Sequence, residues 1–253
     1  MKRILISNDD GVQSRGLAAL IDAVTPLGDV WVVAPELEQS AASHALSLHR
    51  PLRVKKLREK VFAVDGTPAD CVYLAMNHLM KDAPPHLVLS GINHGPNLAD
   101  DVIYSGTVAA AMEASLLGVP GVAFSLATMR DFDFTWAAKF ATQLTKVMLE
   151  KTLPKRTLVN VNIPAGEPNG YEITRLGRHS YGNDVVEKTD PRGRRYYWVG
   201  GTGYDFVREE GTDCTAVHQH GRVAITPVNL DLTDHTALEG FRGWALEGFS
   251  AHK

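Results

Sequence analysis

Ile4-Leu5-Ile6-Ser7-Asn8-Asp9-Asp10-Gly11 is the stretch on which the reading of the fold turns. Three apolar residues in a row read as a buried strand, and the chain leaves that strand directly onto two adjacent carboxylates. Neighbouring acids repel each other, so a pair at the end of a core strand is costly unless something compensates it. In open α/β sheets this carboxyl edge is where ligands bind. An oxygen-rich cluster there suits a hard divalent cation such as magnesium, calcium or manganese. The same residues also have a plainer use, because Asn-Asp-Asp-Gly is good turn chemistry and Asp or Asn caps helices well. Taken alone, the stretch leaves both readings open.

Outward from it, apolar strand-like runs alternate with helical patterns as far as residue 163. That alternation predicts an α/β fold, a three-layer, Rossmann-like α/β/α arrangement around a mostly parallel sheet covered on both faces. The spacing predicts strands over 2–7, 30–33, 52–56, 61–64, 86–90, 121–125 and 157–163. Helices are expected from Leu17 to about Pro26, from Thr67 to about Met80, from Ser105 to about Leu117, and over 134–151. Thr67-Pro68-Ala69-Asp70 carries a capping signature, with Thr67 as cap, Pro68 in the first turn and Asp70 placed to reach back. Residues 36–50, rich in Ser, Ala and His, form a long loop of the kind that carries function. After Pro164 the texture changes to a β-hairpin excursion, with strands over 171–176 and 194–199 and a turn at Gly201-Thr202-Gly203. A returning strand over 222–227 and a terminal helix over 238–249 follow. Residues 1–165 thus read as the Rossmann-like core. Residues 166–253 read as an excursion suited to oligomer contacts or a lid, all within one structural domain.

Composition narrows the classes. At 253 residues with a net charge of -3 and a pI near 6.4, the chain has no basic field for holding a nucleic-acid duplex. Cys71 and Cys214 lack zinc-site spacing and are too few for a disulfide framework, which fits a reducing compartment. Lys2 and Arg3 precede an apolar run too short for a secretory signal. The run over 108–127 is long enough to cross a bilayer, but Glu113 and the break at Gly118-Val119-Pro120-Gly121 divide it into a buried helix, turn and strand. The expectation is a cytoplasmic protein without membrane contact. No dinucleotide glycine fingerprint follows the first strand. Gly-Lys-Ser/Thr, Gly-x-Ser-x-Gly and His-Glu-x-x-His are also absent. His218 and His220 fall on a strand-like stretch where both would face one solvated side.

Four distant segments are expected to converge at the carboxyl edge. The loop after the first strand supplies Asp9 and Asp10, the loop after the second supplies Ser40, and the loop after 86–90 supplies Asn93 and Asn97. Two carboxylates, a hydroxyl and an amide carbonyl make a magnesium-type shell with room for water and substrate. The fourth segment is Tyr104-Ser105-Gly106-Thr107. A helix N-terminus there presents unpaired N–H groups to an anion, and Gly106 permits close approach. Each piece alone is equally a solvated serine, a turn asparagine or a plain helix cap.

As a set, these motifs resemble the SurE family of metal-dependent 5'/3'-nucleotidases. The likeness runs through Ser7-Asn8-Asp9-Asp10-Gly11, Val33-Ala34-Pro35 with Ser40-Ala41, and Gly66-Thr67-Pro68-Ala69-Asp70. It continues through Ser90-Gly91-Ile92-Asn93, Gly95-Pro96-Asn97, Tyr104-Ser105-Gly106-Thr107-Val108-Ala109, Asp190-Pro191-Arg192-Gly193 and Ile225-Thr226-Pro227. The resemblance implies that Asp9, Asp10, Ser40 and Asn93 hold one divalent ion, Mg2+ or Mn2+, per subunit. It also implies that Asn97, Ser105, Gly106 and Thr107 line a phosphate pocket. It further implies a homodimer or homotetramer exchanging C-terminal elements, and activity on nucleoside monophosphates and some polyphosphate. Metal-assisted hydrolysis is the expected reaction, with Asp9 orienting or deprotonating water and Asp10 chiefly a ligand. Two rivals remain at this level: a phospho-aspartate route, whose acids are usually spaced by one residue, and a sensor that binds nucleotide or phosphate without turnover.

Overall fold

A computed structural model describes residues 1–180, 185–199 and 205–244. The core elements are β1 (Arg3–Ser7), α1 (Arg15–Val24), β2 (Asp29–Pro35), β3 (Val54–Arg58), β4 (Val61–Val64), α2 (Pro68–Leu74), β5 (Leu87–His94), α3 (Gly106–Leu116), β6 (Gly121–Ala127), α4 (Thr135–Met148) and β7 (Thr157–Pro164). The excursion adds β8 (Tyr171–Ile173), β9 (His179–Ser180), β10 (Val185–Thr189), β11 (Arg195–Val199) and β12 (Asp205–Phe206). After it come α5 (Asp213–His218), β13 (Val223–Asn229) and α6 (His235–Arg242).

Nine strands form the main sheet in the order β3-β4-β2-β1-β5-β6-β7-β13-β8. It is mostly parallel: β1 pairs in parallel with both β2 and β5, while β3 and β13 run antiparallel to β4 and β7. The strand order therefore reverses beside β1, and a crevice opens between the carboxyl ends of β1 and β5. Within β1, side chains alternate between two cores. Ile4 and Ile6 pack with Leu17, Leu20 and Val24 of α1 and Ala137 and Ala141 of α4. Leu5 packs on the opposite face with Cys71 and Val72 of α2 and Ala110 and Ala114 of α3. Both faces of the strand are covered, which is why its three central residues are all apolar.

The capping signature is present as read. Thr67 Oγ1 accepts the Asp70 N–H at 3.1 Å and Asp70 Oδ2 accepts the Thr67 N–H at 2.9 Å. The helix expected to reach Met80 is α-helical only to Leu74, then widens into a π-helical turn over Ala75–Leu79. β5 runs four residues past the expected end at Ser90, because β6 continues to pair with Asn93 and His94 after a bulge. The stretch carrying His218 is helical rather than strand-like: Thr212 caps α5 through the Thr215 N–H, and its next five residues are buried. His218 stacks on Phe206 at 5.1 Å, whereas His220 lies 3.7 Å from Glu172, so the two do not share a face. Only Tyr171–Ile173 of the expected 171–176 strand forms. β10, unanticipated, pairs with β11 across a turn in which Asp190 accepts the Arg192 and Arg194 N–H groups at 2.8 and 2.9 Å. Asp234 caps α6, which therefore starts earlier than expected, at His235. Its expected end at 249 and the 201–203 turn lie outside the described residues.

Gly16, in the first turn of α1, is where the helix meets β5. A Cβ at this position would sit 1.9 Å from the Ile92 carbonyl oxygen. Alanine normally favours a helix over glycine by about 1 kcal/mol, but here the backbone clash dominates. Gly16→Ala is expected to lower the urea midpoint by the equivalent of about 3 kcal/mol or more. A midpoint equal to or above the parent's would refute this packing.

Candidate active site

The crevice at the reversal of strand order holds a cavity of about 610 Å3. Asp9, Asp10, Ser40, Asn93, Asn97 and Ser105 all lie on its wall, so six of the eight residues picked from the sequence converge there. Gly106 and Thr107 do not line it; they are buried beneath Asp9.

Asp9 is 5% exposed. Thr107 donates its hydroxyl to Asp9 Oδ1. A Cβ on Gly106 would stand 2.8 Å from Asp9 Cβ and 3.0 Å from Oδ2, so the carboxylate is seated directly against the first turn of α3. Burial pushes the Asp9 carboxyl up to about 6; the Thr107 hydroxyl opposes that rise and the neighbouring Asp10 adds to it. Asn8 builds the turn that presents the pair, donating to Gly11 O at 3.0 Å and to Ser14 Oγ at 2.8 Å, and Ser14 in turn caps α1. Asp10 Oδ2 accepts the His94 backbone N–H at 3.2 Å.

Ser40 stands on the loop joining β2 to β3. That loop is fastened by Gln39 N–H to Asp9 O (2.7 Å), Ser43 N–H to Tyr104 O (3.0 Å) and His44 Nε2 to Glu113 Oε2 (2.7 Å). The Ser40 hydroxyl donates to Glu38 at 2.6 Å, which brings a third carboxylate to the cavity wall. Asn93 donates its amide nitrogen to Gly95 O at 3.0 Å, so the amide oxygen is the atom left for other partners. Asn93 belongs to the end of β5, not to the loop where the spacing placed it.

Asn97 is held by a polar network that the sequence reading missed. Its N–H donates to Asn162 Oδ1 (2.8 Å) and its side-chain amide to Ser125 Oγ (2.8 Å). Its carbonyl accepts from Asn160 (2.8 Å) and Asn162 (2.9 Å). Asn93, Ser125 and Asn162 form one row across β5, β6 and β7. The signal was available: Asn160 and Asn162 sit two apart in an otherwise apolar strand, hence on one face. Buried Asp213, also missed, fastens the segment after Asn97 to the excursion by accepting the Ala99 N–H (2.9 Å) and the Gly177 N–H (2.7 Å).

Fold and site together define a doubly wound α/β protein with an acidic ligand cavity at the point where strand order reverses. The family model described as "Survival protein SurE" matches residues 4–183. The chain is 62% identical over its whole length to "5'-nucleotidase SurE" of Myxococcus xanthus, covering 97% of that protein. It is 54% identical to "5'-nucleotidase SurE" of Anaeromyxobacter sp., over 98% of this chain and 97% of that one. The crystal structure of SurE protein from Aquifex aeolicus superposes with a TM-score of 0.86 at 40% identity, covering 95% of this chain and 98% of that one. The chain belongs to the SurE family.

An all-oxygen donor set with a buried, mutually repelling acid pair fits a hard cation. Among the described residues no cluster of three or more His, Cys, Asp and Glu side chains is arranged for a metal, so Ser40 and Asn93 would have to complete the set. Because the Asp9 carboxyl lies at about 6 in the fold against 3.8 for an unperturbed one, the folded chain binds this proton more tightly than the unfolded chain. Stability of the chelator-treated protein is therefore expected to fall as pH rises from about 4 to about 6, by up to about 3 kcal/mol from this group. Asp9→Asn should flatten that segment of the denaturation profile. An unchanged slope would show that Asp9 is not the titrating group.

Proposed function

We propose that this chain is a divalent-cation-dependent nucleotidase, hydrolysing the phosphate monoester of nucleoside 5'- and 3'-monophosphates and, on the same chemistry, short polyphosphate. The observation that carries the reading is the seating of Asp9 against the start of α3, with Asp10, Ser105 and Asn97 on the same cavity wall. The nucleotidase name of the Myxococcus and Anaeromyxobacter relatives supports the substrate class.

In this reading Asp9, Asp10, Ser40 and Asn93 hold one Mg2+ or Mn2+. The bound cation supplies Lewis-acid polarisation of the phosphoryl group and a more acidic water. Ser105 and Asn97 meet the phosphoryl oxygens, and the partial positive charge of the α3 N-terminus at Gly106 and Thr107 favours the anion. The Asn160, Asn162 and Ser125 bonds hold Asn97 in place, so that little ordering remains to be done when substrate arrives. Asp9 receives the proton of the attacking water as the water oxygen bonds to phosphorus and the P–O ester bond breaks, and the leaving oxygen takes its proton from solvent.

No helix among the described residues is long and apolar enough to cross a membrane. Action on free nucleotides in the cytoplasm is part of the proposal. So is assembly as a homodimer or homotetramer, which the exposed Tyr197 and Trp198 of β11 and the exposed Phe241 and Trp244 near the end of the described chain support.

Phosphate release from a panel of 5'- and 3'-monophosphates, with chelator and with added Mg2+ or Mn2+, tests the reading. Cation-dependent release is expected. Asp9→Asn is expected to lower kcat by about 100-fold or more while the circular dichroism of the fold is retained. Nucleotide binding without release under any cation would identify a sensor instead, and a trapped aspartyl phosphate would identify the phospho-enzyme route.

A further inference from the structure

His94 turns its ring onto Asp10. Nδ1 lies 2.8 Å from Asp10 Oδ2, the same oxygen that accepts the His94 backbone N–H at 3.2 Å. The imidazole is gripped by two aromatic rings, meeting Phe132 at 4.9 Å and 75° and Phe134 at 5.0 Å and 81°. Phe134 is itself wedged against α1, where a Cβ on Gly16 would come within 3.1 Å of its ring. Strand β5 thus supplies the backbone donor, and the segment entering α4 fixes the direction of the side-chain donor. Two donors converging on Oδ2 settle which oxygen of Asp10 is occupied from behind.

We propose that His94 is a positioning residue for Asp10: by engaging Oδ2 twice, it leaves Oδ1 as the oxygen offered to a divalent cation. The inference rests on the reading of Asp9 and Asp10 as the cation seat. With Asp10 ionised, Nδ1 carries the proton and donates it, and the flanking phenylalanines keep the imidazole from swinging into the cavity as a competing ligand. Hydrogen-bond partners of ligating carboxylates commonly account for a factor of about 10–100 in metal affinity. A histidine that only fills space between two phenylalanines would instead influence stability.

The test uses the full chain stripped with chelator and titrated calorimetrically with Mn2+. His94→Phe keeps an aromatic ring and removes the donor. His94→Asn removes the ring but keeps an N–H donor attached to Cγ, where Nδ1 is attached in histidine. The expected result is Mn2+ affinity at least about tenfold weaker in His94→Phe, with most of the loss recovered in His94→Asn. The unfolding midpoint of the stripped Phe variant should match the parent's. In turnover of a nucleoside monophosphate, kcat should fall and KM should hold. Where the Phe variant does not fold, His94→Leu read against His94→Asn decides the question, since both lack the ring and differ in the donor. Parent-like Mn2+ affinity in the donor-less variant, or a loss that Asn does not recover, overturns the inference while leaving the cation seat standing. A parent chain that takes up no Mn2+ overturns the seat and the inference together.

Discussion

A carboxylate almost wholly removed from water, pressed against the first turn of a helix and beside a second carboxylate, is the constraint around which this molecule is organised. Asp9 can occupy that position because Gly106 has no side chain to displace it and Thr107 offers a hydroxyl beneath it. The helix end gives back part of what burial costs, through oriented N–H groups and a hydrogen bond to the charged form. It does not give back all of it, since the carboxyl remains raised to about 6. The remaining strain is electrostatic, and a bound cation would relieve it. The backbone of Asp9 also anchors its surroundings, because its carbonyl accepts from Gln39 and so holds the loop that brings Ser40 to the cavity.

The sheet places the other participants without consuming them. Because strand order reverses beside β1, the helices that follow β1 and β5 lie on opposite faces of the sheet, and the cavity opens between the two connections. On its β5 side a row of polar residues, Asn93, Ser125 and Asn162, crosses three hydrogen-bonded strands in register. Their partners are fixed by strand pairing, so Asn97 inherits the rigidity of the sheet although it stands on a loop. The start of α3 has two roles: Ser105 caps the helix through Val108 N–H and faces the cavity, while Gly106 and Thr107 support Asp9 from behind. α5 contributes through Asp213, which ties Ala99 to Gly177 of the excursion.

Much of this was legible in the chain. The buried strand, the acid pair, the Thr67–Asp70 capping box and the alternation of strands and helices are local or periodic signals, and the structure contains them close to where they were read. What escaped reading depends on pairing across long separations. β5 extends through Asn93 because β6 lies beside it, and the polar network around Asn97 joins residues more than sixty apart. α5 escaped because it is a helix of only six residues, capped by Thr212 and buried by its neighbours, too short to show a period. β10 reads Val-Val-Glu-Lys-Thr, which lacks the alternation of a half-buried strand, and its pairing with β11 is set by the Asp190 turn. In the sequence Gly106 and Thr107 read as a pocket lining, whereas the approach of Asp9 from another loop gives them a supporting position instead.

The central claim is that the Asp9–Asp10 pair, completed by Ser40 and Asn93, forms the seat of one hard cation. Anomalous scattering from crystals soaked in manganese measures this directly. The account predicts a single strong peak per subunit within bonding distance of carboxylate oxygens from both Asp9 and Asp10. Well-ordered crystals that bind manganese elsewhere, or show no anomalous density between those two side chains at saturating manganese, would contradict it.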